Sequence, residues 1–125
     1  MKTVKSFKDY DFDSWDVPEK YNGDYAPQNY FKGEFVPALR KEFKAIAKNL
    51  NAELKFSANH FECSAFFSVN GKYIYVHIGD VRFNNWFESI LYRTAKDDKD
   101  YSGGANCYCG YEELENELID LFERM

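Results

Sequence analysis

The strongest constraint in the sequence is an Asn-Gly pair, Asn70-Gly71, between two runs in which apolar and polar residues alternate. A two-residue type I′ turn needs positive φ at both central positions, and Asn-Gly is well suited to that conformation. The runs cover residues 61–69 and 72–78, so the pair predicts an antiparallel hairpin. Counting outward from the turn fixes which residues lie opposite each other, and therefore which side chains share a face.

The predicted register gives the hairpin two different faces. One face is apolar, because it pairs Phe67 with Ile74 and Ala65 with Val76, and it ends at Cys63. The opposite face carries aromatic and polar side chains: Ser64, Phe66, Ser68, Tyr73, Tyr75 and His77. Aromatic rings facing water are unfavourable, so we expect another segment to cover this second face.

The first part of the chain shows neither a helical nor a strand period, but it interleaves aromatic and acidic residues. We therefore predict an irregular, aromatic-rich N-terminal arm over residues 1–35, packed on a domain formed by residues 36–125. The arm supplies rings that could cover the aromatic face of the hairpin. We expect Phe12, Trp15 or Tyr21 to lie there.

A helix and two further strands flank the hairpin in the predicted fold. Proline is favoured in the first turn of a helix, and an apolar stripe follows Pro37, which predicts that a helix begins there and ends near Asn49–Asn51. Alternation over residues 53–58 predicts a strand before the hairpin. Residues 89–95 fit a fourth strand, although a helix over residues 84–92 fits the pattern nearly as well.

The end of the chain predicts a second helix. Its apolar stripe consists of Leu114, Leu118, Leu121, Phe122 and Met125, and acidic residues occupy its first turn, where the helix dipole favours them. The predicted fold class is therefore α+β. It is a single domain of helix, three- or four-stranded antiparallel sheet, and helix, because 125 residues suit one core.

Composition narrows the cellular setting. No apolar run approaches the roughly 18–20 residues that a membrane span needs. The N-terminal stretch has lysines but no apolar segment behind them, so we expect no signal peptide and a soluble, cytoplasmic protein. The three cysteines are expected to be reduced thiols in that compartment.

Charge is unevenly distributed along the chain. Residues 32–96 hold ten Lys or Arg against six Asp or Glu, whereas residues 97–125 hold two against nine, and the net charge is −5. Nucleic-acid binding needs a basic footprint, so we expect no direct contact with nucleic acid. The order of helix, strands and helix is similar to double-stranded-RNA-binding domains. However, Glu112 and Glu113 stand where that family has a lysine cluster. An acidic chain instead suits a protein partner with a basic surface.

Two short patterns resemble metal-binding motifs. Cys107-x-Cys109 stands without the second pair that structural zinc sites usually show. Asp9-x-Asp11-x-Asp13 opens like a calcium loop, but serine and lysine occupy the positions that require glycine and glutamate. We therefore expect no metal and no cofactor.

The polar stretch before the last helix is a candidate ligand loop. Paired glycines at Gly103-Gly104 let backbone amides approach a phosphate or a carboxylate. The residues of this alternative site are Arg93, Lys96, Tyr101, Ser102, Gly103, Gly104 and Asn106. His77 is the one candidate general base, with Ser64 opposite it, but this pair lacks the further partners of a catalytic site. We expect no catalytic residues and no enzyme activity.

The segment Ile90-Leu91-Tyr92-Arg93-Thr94-Ala95-Lys96-Asp97, continuing to Asp100-Tyr101-Ser102-Gly103-Gly104, resembles small proteins of phages and mobile elements. Within that group, the short, acidic, ring-rich character of the chain is similar to anti-defence proteins, and to anti-CRISPR inhibitors in particular. The resemblance implies a protein that occupies a partner's surface, often a basic channel meant for nucleic acid. It also implies the host cell cytoplasm as the location, and it assigns no functional residue.

The leading hypothesis is therefore a non-enzymatic protein-binding inhibitor. Its expected partner-binding residues are Asp9, Asp11, Asp13, Trp15, Asp16, Glu113, Glu117 and Asp120. Helical spacing places the last three near one side of the C-terminal helix, as an acidic row. Two alternatives stay open: a small-ligand or nucleotide-binding domain that uses the glycine loop, and a homodimeric structural domain. The sequence allows either a monomer or a homodimer.

Overall fold

A five-stranded antiparallel sheet forms one layer of the protein. The computed structural model describes residues 3–7, 17–82 and 86–125. The strands follow one another across the sheet in chain order: β1 (Glu53–Asn59), β2 (Glu62–Val69), β3 (Lys72–Ile78), β4 (Ile90–Ala95) and β5 (Cys107–Cys109). The α+β prediction is confirmed.

The hairpin of β2 and β3 has the predicted register. Phe67 lies opposite Ile74, and the two turn residues have positive φ values of 49° at Asn70 and 79° at Gly71, as a type I′ turn requires. The fourth strand is also confirmed, so the alternative helix over residues 84–92 is wrong. The predicted count of three or four strands is wrong, because a fifth strand, β5, lies inside the stretch that the sequence predicts to be a polar loop.

A long helical segment precedes the sheet, and it begins earlier than predicted. It consists of α1 (Ala26–Tyr30), a π-helical turn (Phe31–Phe35) and α2 (Val36–Leu50). The predicted start at Pro37 is wrong, as is the prediction that the chain is irregular as far as residue 35.

The π turn explains why the helix continues through a proline. In a regular α-helix, Pro37 would leave a carbonyl unpaired and press its ring against the carbonyl four residues back. Here the N–H of Val36 instead donates to the carbonyl of Phe31, five residues back, so the helix is wider immediately before the proline. Phe31 and Phe35 both face the core, and their rings stack 5.3 Å apart.

The start of the chain packs on this helix. A 3₁₀ turn, Val4–Phe7, buries both of its apolar residues, and the Phe7 ring lies 5.5 Å from Phe35 and 6.0 Å from Tyr30. Tyr21 packs 5.2 Å from Tyr30, so the prediction that it covers the aromatic face of the hairpin is wrong. The other two residues predicted to do so, Phe12 and Trp15, lie outside the described residues.

The last helix packs on the same face of the sheet as α2. α3 (Leu114–Arg124) follows a 3₁₀ turn (Tyr111–Glu113), and it buries the stripe Leu114, Leu118 and Leu121 as predicted. Both α2 and α3 pack on the apolar face, where the rings of Phe43 and Phe67 lie 5.5 Å apart. Among the described helices, none is both long and apolar enough to cross a membrane.

Candidate protein-binding surface

The sheet face opposite the helices, here called the outer face, carries a row of side chains across four strands. Lys55 lies opposite Phe66, Phe66 opposite Tyr75, and Tyr75 opposite Arg93. The alternation of strand side chains places further residues on this face: Ser57, Glu62, Ser64, Ser68, Tyr73, His77, Leu91 and Tyr108. It is therefore a mixed aromatic and polar surface.

Tyr101 covers the centre of the outer face. Its ring meets Phe66 at 5.2 Å and Tyr75 at 5.6 Å, both nearly edge-on. Phe66 and Tyr75 are buried, whereas the Tyr101 side chain remains 52% exposed. The loop between β4 and β5 therefore supplies the cover that the sequence requires. The other side of the covering Tyr101 ring faces solvent.

Arg93, in β4, binds this loop from the sheet beneath it. The side chain is only 8% exposed, and its guanidinium lies 4.7 Å from the centre of the Tyr75 ring. Its Nη1 donates to Oδ1 of Asn106 at 3.1 Å, and its Nη2 donates to the carbonyl of Tyr101. One buried cation therefore ties both halves of the loop to the sheet. Three residues predicted to form a ligand loop are brought together here.

The glycine loop is occupied by one of its own carboxylates. Asp100 accepts hydrogen bonds from the backbone N–H groups of Lys96 at 3.0 Å, Ser102 at 3.2 Å and Gly103 at 2.7 Å. These bonds hold the pKa of Asp100 below its usual range, and the bond from the Lys96 N–H has the largest effect. Asp100 therefore occupies the amide of Gly103, one of the two glycines predicted to receive a ligand, which leaves the small-ligand alternative with less support.

His77 is a packed, hydrogen-bonded residue on this face. Its Nε2 lies 2.9 Å from Oε1 of Glu62, and its ring stacks on Tyr75 at 6.2 Å with an angle of 9° between the planes. Ser64, which lies opposite His77, shares a 3.0 Å hydrogen bond with Ser57. His77 is therefore held between Glu62 and Tyr75.

The three thiols are free and lie on the helix side of the sheet or at its edge. Burial raises the pKa of Cys63 to about 12. Burial, with Glu117 and Glu113 nearby, raises the pKa of Cys109 to about 12 as well. The thiols of Cys63 and Cys109 are therefore protonated at neutral pH and poorly nucleophilic. Within the described part of the chain, no group of three or more His, Cys, Asp or Glu could hold a metal ion.

The predicted acidic row on α3 is only partly free. Glu113 is exposed, but Glu117 accepts a 2.9 Å hydrogen bond from the Tyr92 hydroxyl, and Asp120 forms a 3.1 Å ion pair with Arg124. The other predicted partner-binding residues, Asp9, Asp11, Asp13, Trp15 and Asp16, lie outside the described residues.

A second exposed tyrosine was missed in the sequence. Tyr108 lies in β5, opposite Leu91, and is 61% exposed on the outer face. The stretch looks like a loop because the strand is only three residues long. The alternation of Cys107, Tyr108 and Cys109 was the one available signal.

Comparisons of the chain with protein-family models, curated proteins and solved structures found no match.

Proposed function

We propose that this chain is a non-enzymatic protein-binding inhibitor whose contact surface is the outer face of the sheet. The observation that carries this proposal is the pair of exposed tyrosines on the outer face, Tyr101 in the loop that covers this face and Tyr108 in β5. Tyrosine is enriched at protein interfaces and among the residues that contribute most to affinity, because it combines a large apolar ring with a polar hydroxyl.

Preorganisation supports the proposal. Tyr101 rests on Phe66 and Tyr75, while Arg93 and Asp100 fix the backbone of its loop. A side chain that is already ordered loses little conformational entropy when it binds. Tyr101 is therefore an anchor that is already ordered on the outer face.

The charge of the chain supports a basic target. The net charge is −5, and residues 97–125 carry nine acidic residues against two basic ones. Opposite charge speeds the encounter of two proteins. This agrees with the implication of the resemblance to anti-CRISPR and other anti-defence proteins, whose targets often expose a basic surface meant for nucleic acid.

Replacing Tyr101 and Tyr108 together with alanine should abolish capture of the target. Each truncation removes a large anchor, and hot-spot side chains typically contribute about 2 kcal/mol or more to binding. The measurement is affinity capture from the source cell with wild type and variant as paired baits, followed by dissociation rates for the captured protein. Thermal melts confirm that the variant is folded.

Tyr25 provides the matched control for this experiment. It is 70% exposed but lies at the start of α1, away from the outer face. Tyr25→Ala should capture the target like wild type. If the double variant captures the same protein with the same dissociation rate, the outer face is not the contact surface. Sedimentation of the bait alone tests the homodimer alternative, because a chain that self-associates through the outer face would lose its dimer in the double variant.

Reversing Glu113 and Asp120 to lysine should slow association with the target at low salt. Glu113 is exposed in the 3₁₀ turn before α3 and Asp120 is exposed on α3 itself, and exposed charges act mainly on the association rate. The difference from wild type should fade as salt rises, because the Debye length is roughly 8 Å at physiological ionic strength. Glu117 is left unchanged, since its bond to Tyr92 serves the fold.

A pair of acids elsewhere separates a contact row from overall charge. Glu19 and Asp24 are exposed, and their reversal to lysine changes the net charge by the same amount. Stopped-flow association should be slower for the Glu113 and Asp120 variant than for this control. Equal association rates for wild type and the α3 variant at low salt would show that the acidic row plays no part.

A further inference from the structure

A basic groove runs between α2 and the edge of the sheet, on the side away from the outer face. It has a volume of about 540 Å³. The residues that line it and that matter here are Arg40, Lys44, Lys48, Ala52, Leu54 and Phe56. The floor is apolar and one wall is cationic. In a chain with a net charge of −5, this concentration of positive charge calls for an explanation.

The other wall of the groove is a free strand edge. β1 is the first strand of the sheet and, among the described residues, pairs only with β2. The type I′ turn joins Val69 to Lys72 by a hydrogen bond, and bonding direction then alternates along each strand. It follows that the N–H and C=O groups of Leu54, Phe56 and Ala58 point away from β2, into the open edge.

The cations match the spacing of a strand. Arg40, Lys44 and Lys48 recur every four residues of α2, so they rise by about 6 Å each. Alternate residues of a strand are about 6.8 Å apart. The guanidinium of Arg40 lies 5.0 Å from the centre of the Phe56 ring, which places the helix row directly beside the strand.

Among the described residues, these cations have no acidic partner of their own. Within the parts of the chain that the structure describes, the ion pairs use other residues, and no carboxylate comes within ion-pair distance of Arg40, Lys44 or Lys48. The groove therefore combines unpaired positive charge with unpaired backbone groups. An extended segment with acidic side chains would pair with the cations and with the backbone groups at the same time.

We propose that the groove binds an extended, acidic segment of a partner protein, which adds to the sheet as a strand beside β1. Main-chain hydrogen bonds to Leu54, Phe56 and Ala58 would supply affinity, and alternate acidic side chains would supply specificity. In antiparallel addition, the residues opposite Leu54 and Phe56 direct their side chains toward α2. Acidic residues at every second position of the segment therefore meet the row of cations. A second copy of this chain is a poorer occupant, because its own basic row would lie against the first.

The probe for this proposal is a capped synthetic peptide with the core Glu-Val-Glu-Val-Glu, carrying a fluorescent label at one end. We expect saturable binding by fluorescence anisotropy, with slowed hydrogen exchange at the amides of Leu54 and Phe56. Two further peptides carry N-methyl groups, one on each glutamate and the other on each valine. N-methylation removes the N–H donors of one strand edge only. Antiparallel addition therefore predicts that the glutamate-methylated peptide loses binding and the valine-methylated peptide retains it.

The protein variants test the charge requirement. Replacing Lys44 and Lys48 together with glutamate should weaken binding about tenfold or more, because two ion pairs are lost and repulsion replaces them. Lys32→Glu is the control, since Lys32 is exposed on the same helical segment but outside the groove. The Tyr101→Ala, Tyr108→Ala variant should bind the peptide like wild type. The groove proposal can therefore fail or succeed independently of the proposed role of the outer face.

Three results would overturn the proposal. Equal binding of both N-methylated peptides would mean that the strand edge is not used. Unchanged affinity in the Lys44→Glu, Lys48→Glu variant would mean that the cations are not used. A dimer of the protein alone that the charge variant strengthens, seen by sedimentation, would identify a second copy as the occupant of the edge.

Discussion

Replacing Gly104 with alanine should destabilise the protein by about 2–4 kcal/mol, through backbone strain and a steric clash together. Gly104 has a φ of 77°, a value that residues with a side chain rarely adopt. A Cβ atom at this position would press against the backbone carbonyl of Thr94 and would lie 2.8 Å from its hydroxyl. Thr94 belongs to β4, so the loop must move off the sheet. Chemical denaturation measures the loss.

Gly71 separates the two causes. Its φ of 79° is nearly the same, but a Cβ atom there would meet nothing within 4 Å. Gly71→Ala should therefore cost only the strain, about 1 kcal/mol. The Gly104 variant should also weaken target capture, because Tyr101 rides on the displaced loop. Equal losses of stability in the two variants would show that the close approach to Thr94 contributes nothing.

The hairpin was predictable because its determinants are local. Asn70 and Gly71 fix the turn, the turn fixes the register, and the period of two assigns each side chain to a face. Every pair in the observed hairpin follows from those two residues. The fourth strand was harder to identify, since residues 84–92 carry a pattern that a helix also fits.

The start of the long helix was missed although the apolar period extends past it. Phe31, Phe35, Leu39 and Phe43 recur every four residues, and all four are buried. Pro37 reads as a first-turn residue because proline inside a helix normally breaks it. A π turn resolves this conflict, and that device depends on the packing of the whole segment rather than on a local signal.

The candidate site was half predictable. The sequence shows that the aromatic face of the hairpin needs a cover, and it groups Arg93, Tyr101 and Asn106 in one candidate site. The sequence does not show that the loop of this candidate site is itself the cover of the aromatic face. The link is a long-range contact, because Arg93 draws the Tyr101 backbone over the Tyr75 ring. Tyr108 escaped notice for a similar reason, since a three-residue strand is stabilised by its neighbour β4 more than by its own sequence.

Truncating Phe7 to alanine should cost about 3–5 kcal/mol of stability, although the residue lies only seven positions from the start of the chain. Its side chain is fully buried, with the ring edge-on to Phe35 at 5.5 Å. The surrounding contacts hold this segment firmly, because Glu42 accepts a 2.7 Å hydrogen bond from the N–H of Val4. The stated range assumes that the surrounding helices relax only partly into the space left by the ring. Denaturant titration measures the change.

The control for this prediction is Tyr25→Ala, which removes a ring of similar size that is 70% exposed. Surface truncations of this kind usually stay within about 0.5 kcal/mol of wild type. A variant lacking residues 1–7 should lose at least as much stability as Phe7→Ala, because it also removes the buried Val4. If Phe7→Ala and Tyr25→Ala unfold at the same denaturant concentration, the N-terminal turn does not belong to the core. The first residues would then be free to serve a partner instead.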